Sequence, residues 1–150
     1  MDIATLKAQE STLQWPSFGA EDALTLGLIL LDMGRAASLP IAINIRTANQ
    51  TLFHAALPGA APLNDLWALR KSNTVLKYHM SSLHVGERMR ASGKGFAIEG
   101  LSETEHAAHG GSFPIRLHSG LVVAAVTVSG LPQVDDHALV VAAIEKALAA

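Results

Sequence analysis

The sequence predicts one α+β domain over residues 1–150, a mostly antiparallel five-stranded sheet flanked by helices. Three observations predict it. Two pairs of short apolar segments are each joined by a connection too tight for a parallel crossover, so each pair forms an antiparallel hairpin. Two long stretches, Ala20 to Ala37 and Pro62 to Ser82, carry apolar residues at helical spacing. After His137 the C-terminal stretch carries charge only at Glu145 and Lys146, which suits a helix packed on a sheet in a layered α+β architecture.

In order along the chain, Met1 to Gln14 reads as a short helical lead-in, interrupted by Trp15-Pro16-Ser17-Phe18. The residue before a proline avoids the helical region, so Trp15 is expected to be extended. In the helix Ala20 to Ala37, Leu24, Leu28 and Leu31 line one face, while Leu26, Ile29, Leu30 and Met33 spread around the rest. A helix apolar nearly all round is buried on more than one side. After Pro40, Ile41 to Arg46 alternates isoleucine with small or polar residues, the period of a half-buried strand. Thr47 to Gln50 is a turn, Thr51 to Leu57 the returning strand, and Pro58-Gly59 its end.

Pro62 opens the next helix, where its missing N–H is tolerated. The helix is expected to reach about Ser82, with continuation to Arg90 as the alternative. Leu66, Leu69, Leu76, Met80 and Leu83 form its expected core stripe. Asn64, Trp67, Lys71, Val75, Tyr78 and Ser82 form the opposite, mostly polar one. Ala91 to Gly95 is a loop, Phe96 to Glu99 a short strand, and Gly100 to Ser112 irregular. Phe113 to His118 and Leu121 to Ser129 make the second hairpin through Ser119-Gly120. The last of these is apolar on both faces and therefore central. Gly130 to Gln133 turns the chain, and Asp135 or Asp136 is expected to cap a final helix to Ala149.

Charged residues make up 16% of the chain, against a usual share of about 25%. So little charge leaves surface that suits coverage by other subunits, and a homo-oligomer is expected. The net charge is −2 with lysines and arginines scattered, which argues against nucleic acid as a partner. Mean hydropathy is +0.29, yet no apolar run approaches the ~18 residues of a membrane span. The longest, Ala23 to Leu31, is broken by Thr25 and Gly27 and bounded by Asp22 and Asp32. Absence of cysteine removes disulfides and thiolate metal sites. Met1 to Glu10 lacks the apolar region of a signal peptide, so a soluble cytoplasmic protein is expected.

Four segments, in this order and spacing, resemble the GlcG/HbpS-like (haem-degrading domain) superfamily. They are LPIAINIRTANQTLFHAAL (Leu39 to Leu57), LRKSNTVLKYH (Leu69 to His79), HGGSFPI (His109 to Ile115) and VTVSGLPQVDDH (Val126 to His137). The resemblance runs from about Trp15 to Leu148. ALPG at Ala56 to Gly59, Trp67 before Arg70-Lys71-Ser72-Asn73, HGGSFP, and VSGLPQ-x-x-DH resemble one bacterial and fungal branch of it. The resemblance implies a profilin-like sheet flanked by helices and assembly into dimers or larger rings. Relatives in other branches bind haem, which makes haem the cofactor it suggests.

His109-Gly110-Gly111 is the most informative candidate site. Paired glycines let backbone N–H groups converge on an anion, and the histidine beside them can ligate a metal or haem iron, or move a proton. Lys71 and Tyr78 share a helical stripe, with Asn73 and His79 nearby, and a lysine held among hydrogen-bonding groups can take a carboxylate or phosphate. Ser129-Gly130 before Asp135-Asp136-His137 is not a G-x-S-x-G nucleophile elbow and reads as a turn and helix cap; the alternative reading has His137 joining His109 at a ligand pocket between subunits. His106-x-x-His109 and His79-x4-His84 lack a third ligand in sequence, so no structural metal is expected. Three functions follow. The first is an oligomeric protein binding haem, another tetrapyrrole or a small anion. The second is a non-catalytic interaction or scaffold protein. The third is a small-molecule enzyme using His109 and Lys71, for which no substrate is legible.

Overall fold

The computed structural model describes residues 1–150. The elements are α1 (Ile3–Thr12), β1 (Gln14–Trp15), α2 (Ala20–Ala36), β2 (Ala42–Arg46), β3 (Thr51–Ala56), α3 (Pro62–Tyr78), α4 (Ser82–Ser92), a 3-10 turn (Phe96–Glu99), β4 (Ser112–Leu117), β5 (Val122–Ser129) and α5 (Gln133–Ala149). The sheet order is β1-β4-β5-β2-β3. Every pairing is antiparallel except β1 with β4, so the sheet is mixed. The expected strand at Phe96 to Glu99 is a 3-10 turn, and the fifth strand is instead the Gln14–Trp15 segment before Pro16. No helix is long and apolar enough to cross a membrane.

Register decides what each face carries. Opposed residues share a face, so the pairs Ile43–Val128, Ile45–Val126 and Phe113–Val126 build one apolar surface. Leu26 and Leu30 of α2 and Val140 and Ile144 of α5 cover it, all wholly buried. Fully burying such a side chain contributes about 1.5–3 kcal/mol. The other face pairs Ser112 with Thr127, Asn44 with Thr127 and Ala42 with Ser129, and α3 lies across it.

That polar face reverses the expected orientation of α3. Leu66 and Leu69 of the expected core stripe are 57% and 49% exposed, as is Leu63 at 61%. Ala68, Lys71, Ser72, Thr74 and Val75 are buried instead. Lys71 donates to the Val128 carbonyl, Ser72 accepts from Arg46 of β2 and Thr74 accepts from the Ala107 N–H of the following loop, so these polar residues face inward and the leucines are left outside. The expected long helix also breaks at His79, which adopts a left-handed conformation with φ 57°, and Ser81 caps the new helix α4 by accepting from the His84 N–H at 3.2 Å. Neither Asp135 nor Asp136 caps α5. The cap is Pro132, and the Asp136 carboxylate turns back to the preceding loop.

Helix α1 buries only Leu6 and Glu10. Polar ties hold its end. Glu10 accepts from the Ser81 N–H at 2.8 Å and meets His84 Nδ1 at 2.9 Å, while Gln9 Oε1 lies 2.8 Å from His137 Nε2.

Candidate functional site

Three of the four sequence segments meet at the C-terminal end of β5. Lys71 reaches from α3 to Asp136 in the first turn of α5, with Nζ 3.1 Å from Oδ2, and donates to the Val128 carbonyl at 3.3 Å. Lys71 is 4% exposed and Asp136 1%. The carboxylate also accepts from the N–H of Leu131 at 3.0 Å and of Gly130 at 3.4 Å. Burial pushes the Lys71 ammonium below its ordinary value, and Asp136 partly restores it. Burial likewise pushes Asp136 up, against the pull of Lys71 and the two N–H groups. With four favourable contacts converging, the pair stands as an ion pair.

The diglycine bend closes over this pair. Gly111 has φ 134°, a conformation that L side chains rarely adopt, and a Cβ there would collide with the Val128 carbonyl and lie 2.9 Å from Lys71 Nζ. The expected anion nest is not open, because the Gly110 N–H donates to Gln133 Oε1 at 3.0 Å. Both glycines permit close approach of neighbouring groups, Gly110 to the Gln133 carbonyl and Gly111 to the Val128 carbonyl.

His109 stands exposed at the rim, its ring edge-on to Trp67 with centroids 5.0 Å apart. Arg70 lies 4.7 Å over Trp67. Desolvation first, then Lys71 and Arg70, hold the His109 imidazolium below its ordinary value of 6.5, so the ring is neutral at pH 7. Arg70 also donates to the Glu103 carbonyl, Asn73 to the Glu105 carbonyl at 2.8 Å, and Thr74 accepts from the Ala107 N–H at 3.1 Å. The R-K-x-N segment thus stitches down the loop that presents His109, while its lysine fixes the turn opposite.

Together these groups line a cleft of about 260 Å³, bordered by Asn64, Trp67, Lys71, His109, Ser129, Gly130 and Gln133. Ser129, nearly buried on the last residue of β5, contributes to its wall. Of the expected site residues, Lys71, His109, Ser129 and Gly130 line it, and Gly110 and Gly111 shape it. Asn73 and Tyr78 line other clefts. His79 is exposed at the end of α3.

His137 does not join His109. It is wholly buried beside Phe113, ring centroids 5.9 Å apart, and burial lowers its pKa to about 4. The other paired histidines also part. His106 is buried against Phe96 and His84 against Glu10, and no three His, Asp or Glu side chains are grouped to hold a metal ion. Reasoning from the sequence missed Trp67, Gln133 and Asp136 as site residues. Trp67 and Lys71 stand one helical turn apart, a spacing that was available as a signal.

The fold and the cleft define a small single-domain α+β protein with a five-stranded mixed sheet and a cleft at the end of its central strand. The chain belongs to the HbpS-like haem degrading family, whose profile matches residues 18–145. A UPF0303 protein of Streptomyces coelicolor is 49% identical over 145 residues, covering 96% of this chain and 92% of that protein. A UPF0303 protein of Paraburkholderia xenovorans is 42% identical, covering 95% and 87%. Among solved structures, the Ybr137w protein superposes with a TM-score of 0.90 at 26% identity, over 99% of this chain and 90% of that one. HbpS follows the same fold with a TM-score of 0.71 at 18% identity, over 90% and 92%. A PduOC:Heme complex does so with a TM-score of 0.74 at 15% identity, over 86% and 94%.

Proposed function

We propose that this chain, acting as one domain within a homo-oligomer, binds haem or a related tetrapyrrole at the His109 rim of the cleft. The observation that carries the reading is a neutral, exposed imidazole braced against Trp67, with the exposed Leu63 and Leu66 on the same helix. A neutral imidazole is the form that ligates haem iron, and apolar side chains suit a flat macrocycle. Membership of the haem degrading family and the haem-bound PduOC structure support the same ligand class. His109 would be the ligand and Trp67, with Leu131 across the cleft, its apolar lining. The cleft of about 260 Å³ falls below the ~300–1,000 Å³ that encloses a drug-sized ligand. A second copy of the chain would supply the opposite face, with the exposed Leu63, Leu66 and Leu69 available to meet it. A small anion is less well supported at this cleft, because Asp136 already neutralises Lys71. Acid–base chemistry by Lys71 meets the same obstacle.

Titration with haemin tests the reading. Wild type should give a saturable Soret shift that His109→Ala weakens at least tenfold. The affinity should fall on acidification only below the pH at which an ordinary imidazole protonates, because the His109 ring takes its proton less readily. No saturable shift at micromolar haemin, or an unchanged one in His109→Ala, removes the proposal.

A further inference from the structure

A second polar cleft lies on the same face of the sheet, four ladder positions from Ser129 along β2 and β5, roughly 13 Å at the rise of a strand. Its volume is about 390 Å³, and Arg46, Asn73, Lys77, Glu105 and His106 line it. Arg46 is its fixed point. The side chain leaves β2 at an irregularity in the β2–β3 register, between Ile45 and Arg46. Its Nε donates to Ser72 Oγ at 2.8 Å, one terminal nitrogen donates to the Thr47 carbonyl at 3.3 Å, and the other donates to Asn73 Oδ1. Asn73 is held in turn by the Glu105 carbonyl. The guanidinium therefore has one geometry, set by three neutral acceptors.

No acid offsets it. The ion pairs of this chain involve His54, Lys71, His84, Arg88 and Arg90, and neither Arg46 nor Lys77 has a carboxylate within ion-pair distance. Burial works against the Arg46 charge. Glu105 lines the cleft without reaching either cation, and Arg46 plus Lys77 against Glu105 leaves one net positive charge. Arg46 is half-buried, and partial removal of a cation from water without a counter-charge is unfavourable. A guanidinium carries five N–H donors, so the three bonds above leave two for a ligand.

We infer that this cleft is a binding site for the oxyanion group of a small molecule, a phosphate or a carboxylate, which bridges Arg46 and Lys77. Arg46 supplies the preorganised fork that matches such a group, and Lys77 supplies a second, mobile charge at the rim. The site is independent of the His109 cleft. Asn73, which the sequence marks as a candidate there, serves here by fixing Arg46.

The Arg46 Nε–H resonance in a nitrogen-correlated NMR spectrum reports on the site directly. Titration of the intact protein with inorganic phosphate, and separately with acetate, should move that resonance saturably in at least one arm. The arm that saturates at lower concentration identifies the anion class. Lys77→Met, a change at an exposed residue that spares the fold, should raise the midpoint at least tenfold. Arg46→Lys removes that probe, so binding in this variant is read from the backbone amides of Ser72 and Asn73, which should shift saturably in wild type and no longer do so in the variant. An Arg46 resonance unmoved by tens of millimolar of either anion, or a midpoint unchanged in Lys77→Met, overturns the site.

Discussion

The two faces of the sheet are built on opposite principles. Under α2 and α5 the strands present Ile43, Ile45, Phe113, Ile115, Val126 and Val128, and burial alone organises them. Under α3 the same strands present Asn44, Arg46, Ser112, Thr127 and Ser129 among small residues such as Ala42 and Ala125, and directional polar contacts organise this face. Thr127 Oγ1 donates to Ser112 Oγ at 2.8 Å, and the Ser112 N–H donates to Ser82 Oγ at 3.0 Å. Lys71, Ser129, His109, Asn73 and Arg46 all belong to this second face or its rim. An apolar face tolerates imprecise neighbours because dispersion and burial have no direction. A polar face holds particular atoms at particular distances, which is what a ligand site requires, and it pays for this by failing when one partner is missing.

That contrast can be broken or sharpened by substitution. The largest loss is expected on the polar face. Asp136→Ala leaves Lys71 buried without its counter-charge and should destabilise the protein by about 3–5 kcal/mol in urea denaturation. The double change Lys71→Met with Asp136→Leu should recover most of that loss. A double variant as unstable as the single one would show that shape, not charge, is what the pair supplies. Next comes the polar group stranded on the apolar side. His137 has a folded pKa of about 4 against an ordinary value of 6.5, so the unfolded chain binds more protons between those values. Stability is then full above pH 6.5 and falls as pH drops toward 4, by about 3 kcal/mol in all. His137→Gln should flatten this slope in pH-resolved denaturation curves, and an unchanged slope would place the titration elsewhere. A volume change on the apolar face is milder: Ile45→Val should cost about 0.5–1.5 kcal/mol in thermal melts. Smallest of all, Leu66→Ser at a surface position should alter stability by less than about 0.5 kcal/mol. Its effect should instead appear in sedimentation, as a smaller species, if the α3 leucines join copies of the chain.

The same contrast explains what was legible in the sequence. The two hairpins, the helices α2 and α5, and the central place of β5 follow from apolar periodicity, which records burial by a greasy partner. Helix α3 does not obey that signal, since Lys71, Ser72 and Thr74 face inward to the Val128 carbonyl, Arg46 and the Ala107 N–H while Leu63, Leu66 and Leu69 remain outside. Periodicity cannot report a polar neighbour contributed by a strand fifty residues away. The break at His79 was hidden for a related reason: no glycine or proline marks it, and only the cap at Ser81 does. His109, Lys71 and the Gly110-Gly111 bend were visible as chemistry-bearing residue types. Asp136 was visible as well, but its acidic position at a helix start concealed its partnership with Lys71.

The polar ties join residues far apart along the chain: 65 positions between Lys71 and Asp136, 74 between Glu10 and His84, and 128 between Gln9 and His137. Closing loops of that length is entropically unfavourable until the hairpins have fixed the intervening chain. We expect these ties to latch after the rate-limiting barrier, because they join the most distant parts of the chain. Substitutions at Lys71 or Asp136 should accelerate unfolding while leaving the refolding rate nearly unchanged, with φ-values close to zero. The ligand cleft would then be the last part of the molecule to form and the first to open.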